Sequence, residues 1–97
     1  MKMIDELKEC FKKAREDNAK YFAVAIKFSA VEKVEVIINP RENWDNKEEY
    51  YASVYDEDLR LKGCPDKIKI VGFAYGNSFK EIEELLVLRD YEVETNE

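Results

Sequence analysis

The central stretch NPRENWDNKEEYYASVYDEDL, residues 39–59, combines one Trp, three Tyr and seven carboxylates. Paired carboxylates can perform acid–base chemistry, but only where burial separates their pKa values. On a helical projection these acids fall on the solvent side, where no such separation is expected. The segment DEDLRLKG also lacks the acid spacing of a calcium loop and the glycine at its sixth position. The stretch therefore predicts neither a catalytic carboxylate pair nor a metal site.

The same stretch has the composition of a protein-recognition surface. A helical projection of residues 43–59 places Trp44, Tyr51 and Tyr55 on one side and an acidic stripe on the other. The candidate partner-binding residues are Asp45, Glu49, Tyr50, Asp56 and Glu57. The simplest interpretation is a helix with a buried aromatic face and a solvated acidic back. The alternative is a site for a basic protein, with aromatic anchors for affinity and carboxylates that steer the encounter or mimic nucleic-acid phosphates.

The turn Gly76-Asn77-Ser78 is a second candidate site, for a small anionic ligand. It lies between a predicted strand and a predicted helix, where free backbone N–H groups can hold a phosphate or carboxylate. The turn matches neither a Walker loop nor a dinucleotide motif, and the glutamates that follow it would repel an anion. Ser78 with Glu81 three residues later is a capping box, so ordinary helix capping is the stronger interpretation.

No residue pattern predicts a nucleophilic enzyme or a bound cofactor. A serine or cysteine nucleophile needs a base, and the chain has no histidine. Its two cysteines, Cys10 on a predicted helix and Cys64 in the turn KGCPDK, do not form a zinc-ligand cluster. Reduced thiols are expected in a cytosolic chain, with a disulfide between the two as the alternative. We expect a protein that is not an enzyme and has no metal or cofactor.

Hydrophobic periodicity predicts an α+β fold in the order α-β-β-α-β-α. The predicted strands are KYFAVAIKF, KVEVIIN and KIKIVGFAY, and helices are predicted over residues 3–18, from Asn43 and from Ser78. A hairpin followed by a helical crossover predicts a three-stranded antiparallel sheet in the order 2-1-3. Residues 1–97 are expected to form a single domain, with an acidic tail from about residue 90.

Alternation within each strand predicts which side chains face the core. On the first strand these are Phe22, Val24, Ile26 and Phe28, opposite a face of small alanines. On the second strand the residues predicted to point inward are Val34, Val36 and Ile38. The other face of the sheet would then carry an aromatic patch made of Tyr21, Val71, Phe73 and Tyr75. Such a patch becomes a strong site candidate if no helix covers it.

Charge is unevenly distributed along this chain, whose net charge is −6. Residues 42–58 and 78–97 are acidic, whereas residues 1–41 and 59–77 are mildly basic. No basic stripe stands out, so direct binding of nucleic acid is not expected. No apolar run is long enough to span a membrane, and the charged N-terminus lacks the apolar core of a secretory signal. The expected location is the cytoplasm.

The segments VIINPRENWDNKEEYYASVYDEDLRLK and IKIVGFAYGNSFKEIEELL resemble small, uncharacterised proteins of Firmicutes phages and mobile elements. The resemblance covers about half of the chain and carries no catalytic residues. It implies a setting in which small acidic proteins often act by binding a host or defence protein.

Three functional hypotheses follow. The first is a non-enzymatic interaction module or inhibitor that binds a basic protein through the acidic helix. The second is a binder of a small anionic ligand or nucleotide at the Gly76-Asn77-Ser78 turn or on the sheet face. The third is a homodimeric accessory protein, joined through the apolar remainder of the last helix and the tail.

Overall fold

The structure, a computed structural model, describes residues 2–86. Its main elements follow the predicted order: α1 Met3–Glu16, β1 Tyr21–Phe28, β2 Lys33–Pro40, α2 Trp44–Val54, β3 Ile68–Gly76 and α3 Phe79–Leu85. Short 3₁₀ turns at Ser29–Val31 and Arg41–Asn43 precede β2 and α2. The predicted acidic tail lies outside the described residues.

The sheet is antiparallel with the order β2-β1-β3, which confirms the predicted α+β topology. Strand β1 pairs with β2 along its whole length, from Tyr21 opposite Pro40 to Phe28 opposite Lys33. The hairpin closes through the 3₁₀ turn and Glu32, whose φ of 48° is left-handed. Because β1 has a neighbour on both edges, all of its backbone polar groups can join the ladder, and its six central residues are buried.

The predicted inward face of β2 is wrong. Residues directly opposite in an antiparallel pair point to the same face, and Ile37 lies opposite Val24. Ile37 therefore packs against the core, whereas Val36 lies opposite Ala25 and is 47% exposed. Three successive apolar residues made either alternation plausible. Buried Asn39 is bonded in the observed register, because its Nδ2 donates to the Phe22 carbonyl at 3.2 Å.

The predicted alternation of β3 is also wrong, because a β-bulge interrupts it. Ala25 lies opposite Gly72 but Ile26 lies opposite Ile70, which leaves Val71 as the extra residue. Past the bulge the parity inverts, so Phe73 and Tyr75 share the core face with Ile70.

The predicted aromatic patch on the second sheet face is consequently not formed. Phe73 and Tyr75 lie opposite Val24 and Phe22 and pack against the core. Of the patch, Tyr21 remains on the alanine face, where the Phe79 ring of α3 meets it edge-on at 5.2 Å. Helix α3 therefore covers the Tyr21 end of this face.

The core lies between the sheet and helices α1 and α2. Phe11 of α1 stacks on Phe22 of β1 with ring centroids 3.7 Å apart. Trp44, at the start of α2, meets both rings edge-on at 6.3 and 6.1 Å. Its Nε1 donates to the carbonyl of Asn39 at 2.8 Å, so the buried indole is satisfied. This cluster joins α1, α2 and the central strand.

Helix α2 ends at Val54, five residues before the predicted end of the helical projection. Tyr55 is extended and pairs with Leu61, and Leu59 has a φ of 63°. The chain then follows β3, because Leu61 N donates to Ile68 O and Ile70 N donates to Leu59 O. Tyr55 and Leu59 are both buried, so their four-residue spacing fitted a helix although a tight turn buries them.

The hydroxyl of Tyr75 ties β3 to the end of α1 by donating to Asp17 Oδ2 at 2.5 Å. This hydrogen bond to Asp17 is the main cause that raises the pKa of Tyr75 to about 12. The bond exists only with a protonated phenol, and the folded-state pKa exceeds the ordinary value of 10. Its contribution to stability is therefore complete below about pH 10 and is lost as the pH rises through about 12.

In a titration followed by tyrosinate absorbance, Asp17→Asn should move one late tyrosine transition toward pH 10. Tyr75→Phe should remove the same transition from the wild-type curve. Burial raises the pKa of Tyr51, and that of Tyr55 to about 12, so their transitions stay late in both variants. Superimposable curves for the wild type and Asp17→Asn would contradict this assignment.

Candidate functional site

The α2 outer face is the solvent side of the acidic helix and consists of Asp45, Asn46, Glu49, Tyr50 and Ser53, all exposed. The opposite side of α2 is core, where Trp44 and Tyr51 are each 1% exposed. Asn43, where the helix was predicted to begin, is the N-cap residue of α2, but its side chain makes no capping bond. The division of the helix into a buried aromatic side and a wet acidic side is therefore confirmed for residues 44–54.

The carboxylates near this face differ in their surroundings. Arg15 of α1 reaches Asp45 at 2.9 Å and Glu48 at 2.8 Å, so one guanidinium lies between two carboxylates. The Asp45 side chain is nevertheless 94% exposed, and such surface pairs contribute little to stability. Glu49 forms no ion pair with another residue in the described range. Asp45 and Glu49, four residues apart, present negative charge side by side along the helix.

Tyr50 is the one tyrosine of the stretch that does not enter the core. It is 51% exposed, while Tyr51 and Tyr55 are 1% and 5% exposed. Its ring meets that of Tyr51 edge-on at 5.7 Å, and the Lys47 ammonium lies 5.5 Å from its centroid. A half-exposed aromatic ring held on one side by a buried ring is a ready contact for a partner.

Asp56 and Glu57 do not continue the acidic stripe, because the helix has already ended. Asp56 Oδ1 accepts the backbone N–H groups of Asp58 at 2.9 Å and Arg60 at 3.0 Å, which organises the turn. Glu57 pairs with Lys2 at 3.0 Å, with both side chains more than half exposed. The structure thus brings Asp45, Glu49 and Tyr50 together on one helix and places Asp56 and Glu57 in the turn that follows.

The Gly76-Asn77-Ser78 turn caps α3 through Ser78 as predicted, but Glu81 reaches back to the residue before the N-cap and not to the N-cap itself. Ser78 Oγ accepts the N–H of Glu81, and Glu81 Oε1 accepts the N–H of Asn77, both at 3.2 Å. A Cβ added at Gly76 would lie 2.7 Å from that same Glu81 oxygen, so the carboxylate fills the space beside the turn. An anion at this position would have to displace Glu81.

A cleft of about 150 Å³ lies at the Lys27 end of the alanine face. Its lining residues are Lys27, Ser29, Arg60, Pro65, Asp66, Ile68 and Lys69. Sequence reasoning missed this cleft because its basic residues come from three separate segments. The available signal was that residues 1–41 and 59–77 are the two mildly basic parts of the chain.

Cys10 is half-buried on α1 and Cys64 is exposed in the turn before β3, and neither forms a disulfide. Within residues 2–86 no group of three or more Cys, Asp or Glu side chains is arranged to hold a metal ion. Among the same residues, no helix is long and apolar enough to cross a membrane.

Comparison with known proteins returned no significant match to a protein-family model, a curated protein or a solved structure.

Proposed function

We propose that this protein is a non-enzymatic interaction module that binds a basic partner protein through the α2 outer face. The observation that carries the proposal is Tyr50, half-exposed and next in sequence to the exposed carboxylate of Glu49. Binding energy at interfaces concentrates in a few residues, with tyrosine among the most frequent. Neighbouring carboxylates favour a partner of opposite charge and raise the rate of encounter.

The packing of α2 against the core supports this role, because it fixes the position of the α2 outer face. The helix is held to the core by Trp44 and Tyr51, which are almost fully buried. Residues positioned on such an element lose little conformational freedom when a partner binds. Asp56 and Glu57 add negative charge at the end of the helix, where they would steer the encounter rather than make central contacts.

The resemblance to proteins of phages and mobile elements suggests what kind of partner to test. In that setting, the proposed role is inhibition of a basic host or defence protein in the cytoplasm. The acidic helix would then occupy a surface that otherwise binds a nucleic-acid backbone.

The test is affinity capture from host lysate with the wild-type chain and two variants of equal net charge. The site variant is Glu49→Lys with Tyr50→Ser and Asp45→Lys, which alters only exposed residues. Asp56 is left unchanged, because its carboxylate accepts two backbone N–H groups of the turn. The control variant is Glu9→Lys with Glu83→Lys, which reverses two charges on the exposed sides of α1 and α3. Tyr50 is unchanged in this variant.

A basic protein retained by the wild type and the control, but lost by the site variant, would support the proposal. Retention should weaken as salt is raised, because exposed charges are screened. Identical captured sets from all three baits would contradict the proposal. The α2 helix would then be a core helix whose acidic side is only solvated.

A homodimeric accessory role is the second candidate, because α3 exposes two large apolar side chains. Phe79 is 58% exposed and Leu85 is 55% exposed. The apolar residues Val87 and Leu88, which also suggested this role, lie outside the described residues. A molar mass that rises with protein concentration in light scattering would favour the dimer. A constant monomer mass would contradict the homodimeric role.

A further inference from the structure

We propose that the β2 edge, the side of Lys33–Pro40 that faces away from β1, pairs with the same edge of a second copy of this chain. The two β2 strands would run antiparallel about a two-fold axis at Val36 and join two three-stranded sheets into one. The β2 edge is separate from the α2 outer face and from α3, so the inference rests on neither of the functions proposed above.

The hydrogen bonds at the end of the ladder show which backbone groups of β2 face outward. Arg41 N donates to Lys20 O at 3.1 Å, which makes these two residues a hydrogen-bonded pair. Such pairs alternate along an antiparallel ladder, and the register of β1 with β2 is continuous. Every second residue from Asn39 back to Lys33 therefore bonds to β1. The residues between them direct their N–H and C=O groups outward, and these are Val34, Val36 and Ile38.

The β3 side of the central strand gives the same alternation. Ser29 N donates to Lys67 O at 2.9 Å, so the odd-numbered residues at this end of β1 bond toward β3. The even-numbered residues of β1 then bond toward β2, because successive residues of a strand direct their polar groups to opposite sides. The pair formed by Lys20 and Arg41 requires the same assignment.

The β2 edge lacks the features by which most edge strands avoid pairing, namely central charges, prolines and bulges. The register with β1 contains no bulge, and the proline of β2 is its last residue. Its two charged residues, Lys33 and Glu35, form an ion pair with each other at 3.1 Å. Among residues 2–86, no strand lies beside this edge, and Val36 at its centre is 47% exposed.

The three outward-bonding residues also form a row of β-branched side chains. Val36 lies opposite Ala25 and Ile38 lies opposite Ala23, so the row is on the alanine face of the sheet. Val34 and Ile38 are half-buried, and Val36 is exposed. Side chains of this type are favourable where a further strand packs beside them. The row therefore offers apolar contacts in addition to the backbone groups.

A second copy of β2 matches this edge group for group. When Val36 lies opposite itself, Val34 of one copy lies opposite Ile38 of the other. Each of these pairs exchanges both of its backbone hydrogen bonds, so every outward N–H and C=O group of the three residues has a partner. The same register places β-branched side chains opposite one another, which stabilises an antiparallel pair.

The neighbouring registers are less favourable. A two-fold axis at Glu35 would place two carboxylates directly opposite each other, which destabilises a sheet. An axis at Ile37 would place Val34 opposite Pro40, which has no N–H to donate. The axis at Val36 is the one of these three that avoids both costs.

The distribution of charge favours a second copy over a charged partner at this edge. The β2 strand is neutral, because Lys33 and Glu35 balance, whereas the whole chain has a net charge of −6. A basic protein is therefore attracted to the acidic α2 outer face rather than to β2. Two copies of the chain repel each other through their net charge, so added salt should strengthen the dimer by screening that repulsion.

The experiment is sedimentation velocity of the full chain at concentrations from ~10 µM to ~1 mM, a range chosen because interfaces below roughly 1,200 Å² are weak. We expect the average mass to rise from monomer to dimer with concentration, and to rise further when sodium chloride is added. Hydrogen exchange should show protection of the amides of Val34, Val36 and Ile38 that increases with protein concentration.

Two charge variants test the position of the two-fold axis. Val36→Lys and Val36→Glu each place like charges opposite each other and should weaken the homodimer by about tenfold or more. An equimolar mixture of the two variants places an ammonium group opposite a carboxylate. The mixture should therefore associate to within about threefold of the wild type.

Val36→Pro tests the backbone bonds directly. It removes an N–H that faces away from β1, which an edge strand tolerates, and should weaken the dimer by about tenfold or more. The matched control is Val31→Lys, because Val31 is 67% exposed in the 3₁₀ turn before β2. This control adds the same charge outside the edge and should change association by less than about twofold. Amide spectra of each variant check that its fold is retained.

Four results would overturn the assignment. The first is a monomer at every concentration, and protection of the three amides in that monomer would mean that another part of the chain occupies the edge. The second is a dimer that persists in both charge variants, and the third is a mixture that associates no better than either variant alone. The fourth is a dimer that Leu85→Lys weakens as much as Val36→Lys, since association would then involve α3. Capture of a basic protein by the α2 outer face is measured separately and leaves this test unchanged.

Discussion

Replacing Trp44 with alanine is expected to lower the free energy of unfolding by about 3–5 kcal/mol, the usual cost of removing a large buried aromatic side chain. Trp44 is 1% exposed and meets the rings of both Phe11 and Phe22. Its removal leaves a cavity at the point where α1, α2 and β1 join. It also removes the donor to the Asn39 carbonyl. Urea denaturation followed by circular dichroism measures the loss, because the variant has no tryptophan to report by fluorescence.

Two further variants test whether the loss comes from removing a buried ring rather than from removing any aromatic ring of α2. Trp44→Phe keeps much of the ring but leaves the Asn39 carbonyl without its donor, so a smaller loss of about 1–3 kcal/mol is expected. Tyr50→Ala removes an aromatic ring from the same helix at a half-exposed position and should cost clearly less than Trp44→Ala. Equal losses for Trp44→Ala and Tyr50→Ala would contradict the division of α2 into a core side and a solvent side.

Replacing Leu59 with alanine is expected to lower the free energy of unfolding by about 2–5 kcal/mol. The Leu59 side chain is fully buried although the residue lies in a turn after α2. It anchors the segment whose backbone bonds to β3 and which carries Arg60 into the cleft. Thermal or urea denaturation of the purified variant measures the effect.

Glycine at position 59 gives the matched comparison, because Leu59 has a φ of 63°. A non-glycine residue in the left-handed region costs roughly 1–2 kcal/mol, whereas glycine loses about 0.5–1 kcal/mol of chain entropy. Leu59→Gly should therefore be at least as stable as Leu59→Ala. At Ala52, inside α2, the order should reverse, and Ala52→Gly should cost about 1 kcal/mol. Glycine less stable than alanine at position 59 would contradict the left-handed turn.

The candidate site was only partly predictable. The sequence predicted the buried side of α2, and it also predicted that Asp45 and Glu49 would be exposed, because 3.6-residue periodicity separates the two sides of a helix. It did not predict that the helix ends at Val54, since Tyr55 and Leu59 have helical spacing and no glycine or proline immediately follows Val54. Because residue 59 is a leucine and not a glycine, nothing in the sequence indicated its positive φ. Asp56 and Glu57 were consequently placed on the wrong element.

The strand faces were predicted only where alternation was unambiguous. On β1, Phe22, Val24 and Ile26 alternate with alanines, and their predicted face is confirmed by their place in the core cluster. On β2 the run Val36-Ile37-Ile38 is compatible with both parities, so pairing with β1 decides the face. On β3 the bulge at Val71 inverts the parity within one strand.

The sequence by itself determined the order of the helices and strands, the antiparallel sheet 2-1-3 and the helix cap at Ser78. The element order, the β1–β2 hairpin and the helix cap depend on neighbouring residues or on a short connection, so local patterns are sufficient for them, whereas the place of β3 beside β1 was inferred from the helical crossover. The tertiary structure alone decided the register of β2, the bulge in β3 and the pairing of Lys69 with Lys27 on one side and with Arg60 on the other. These features depend on which backbone groups meet across strands, and residues far apart in the chain become neighbours only after the sheet has formed.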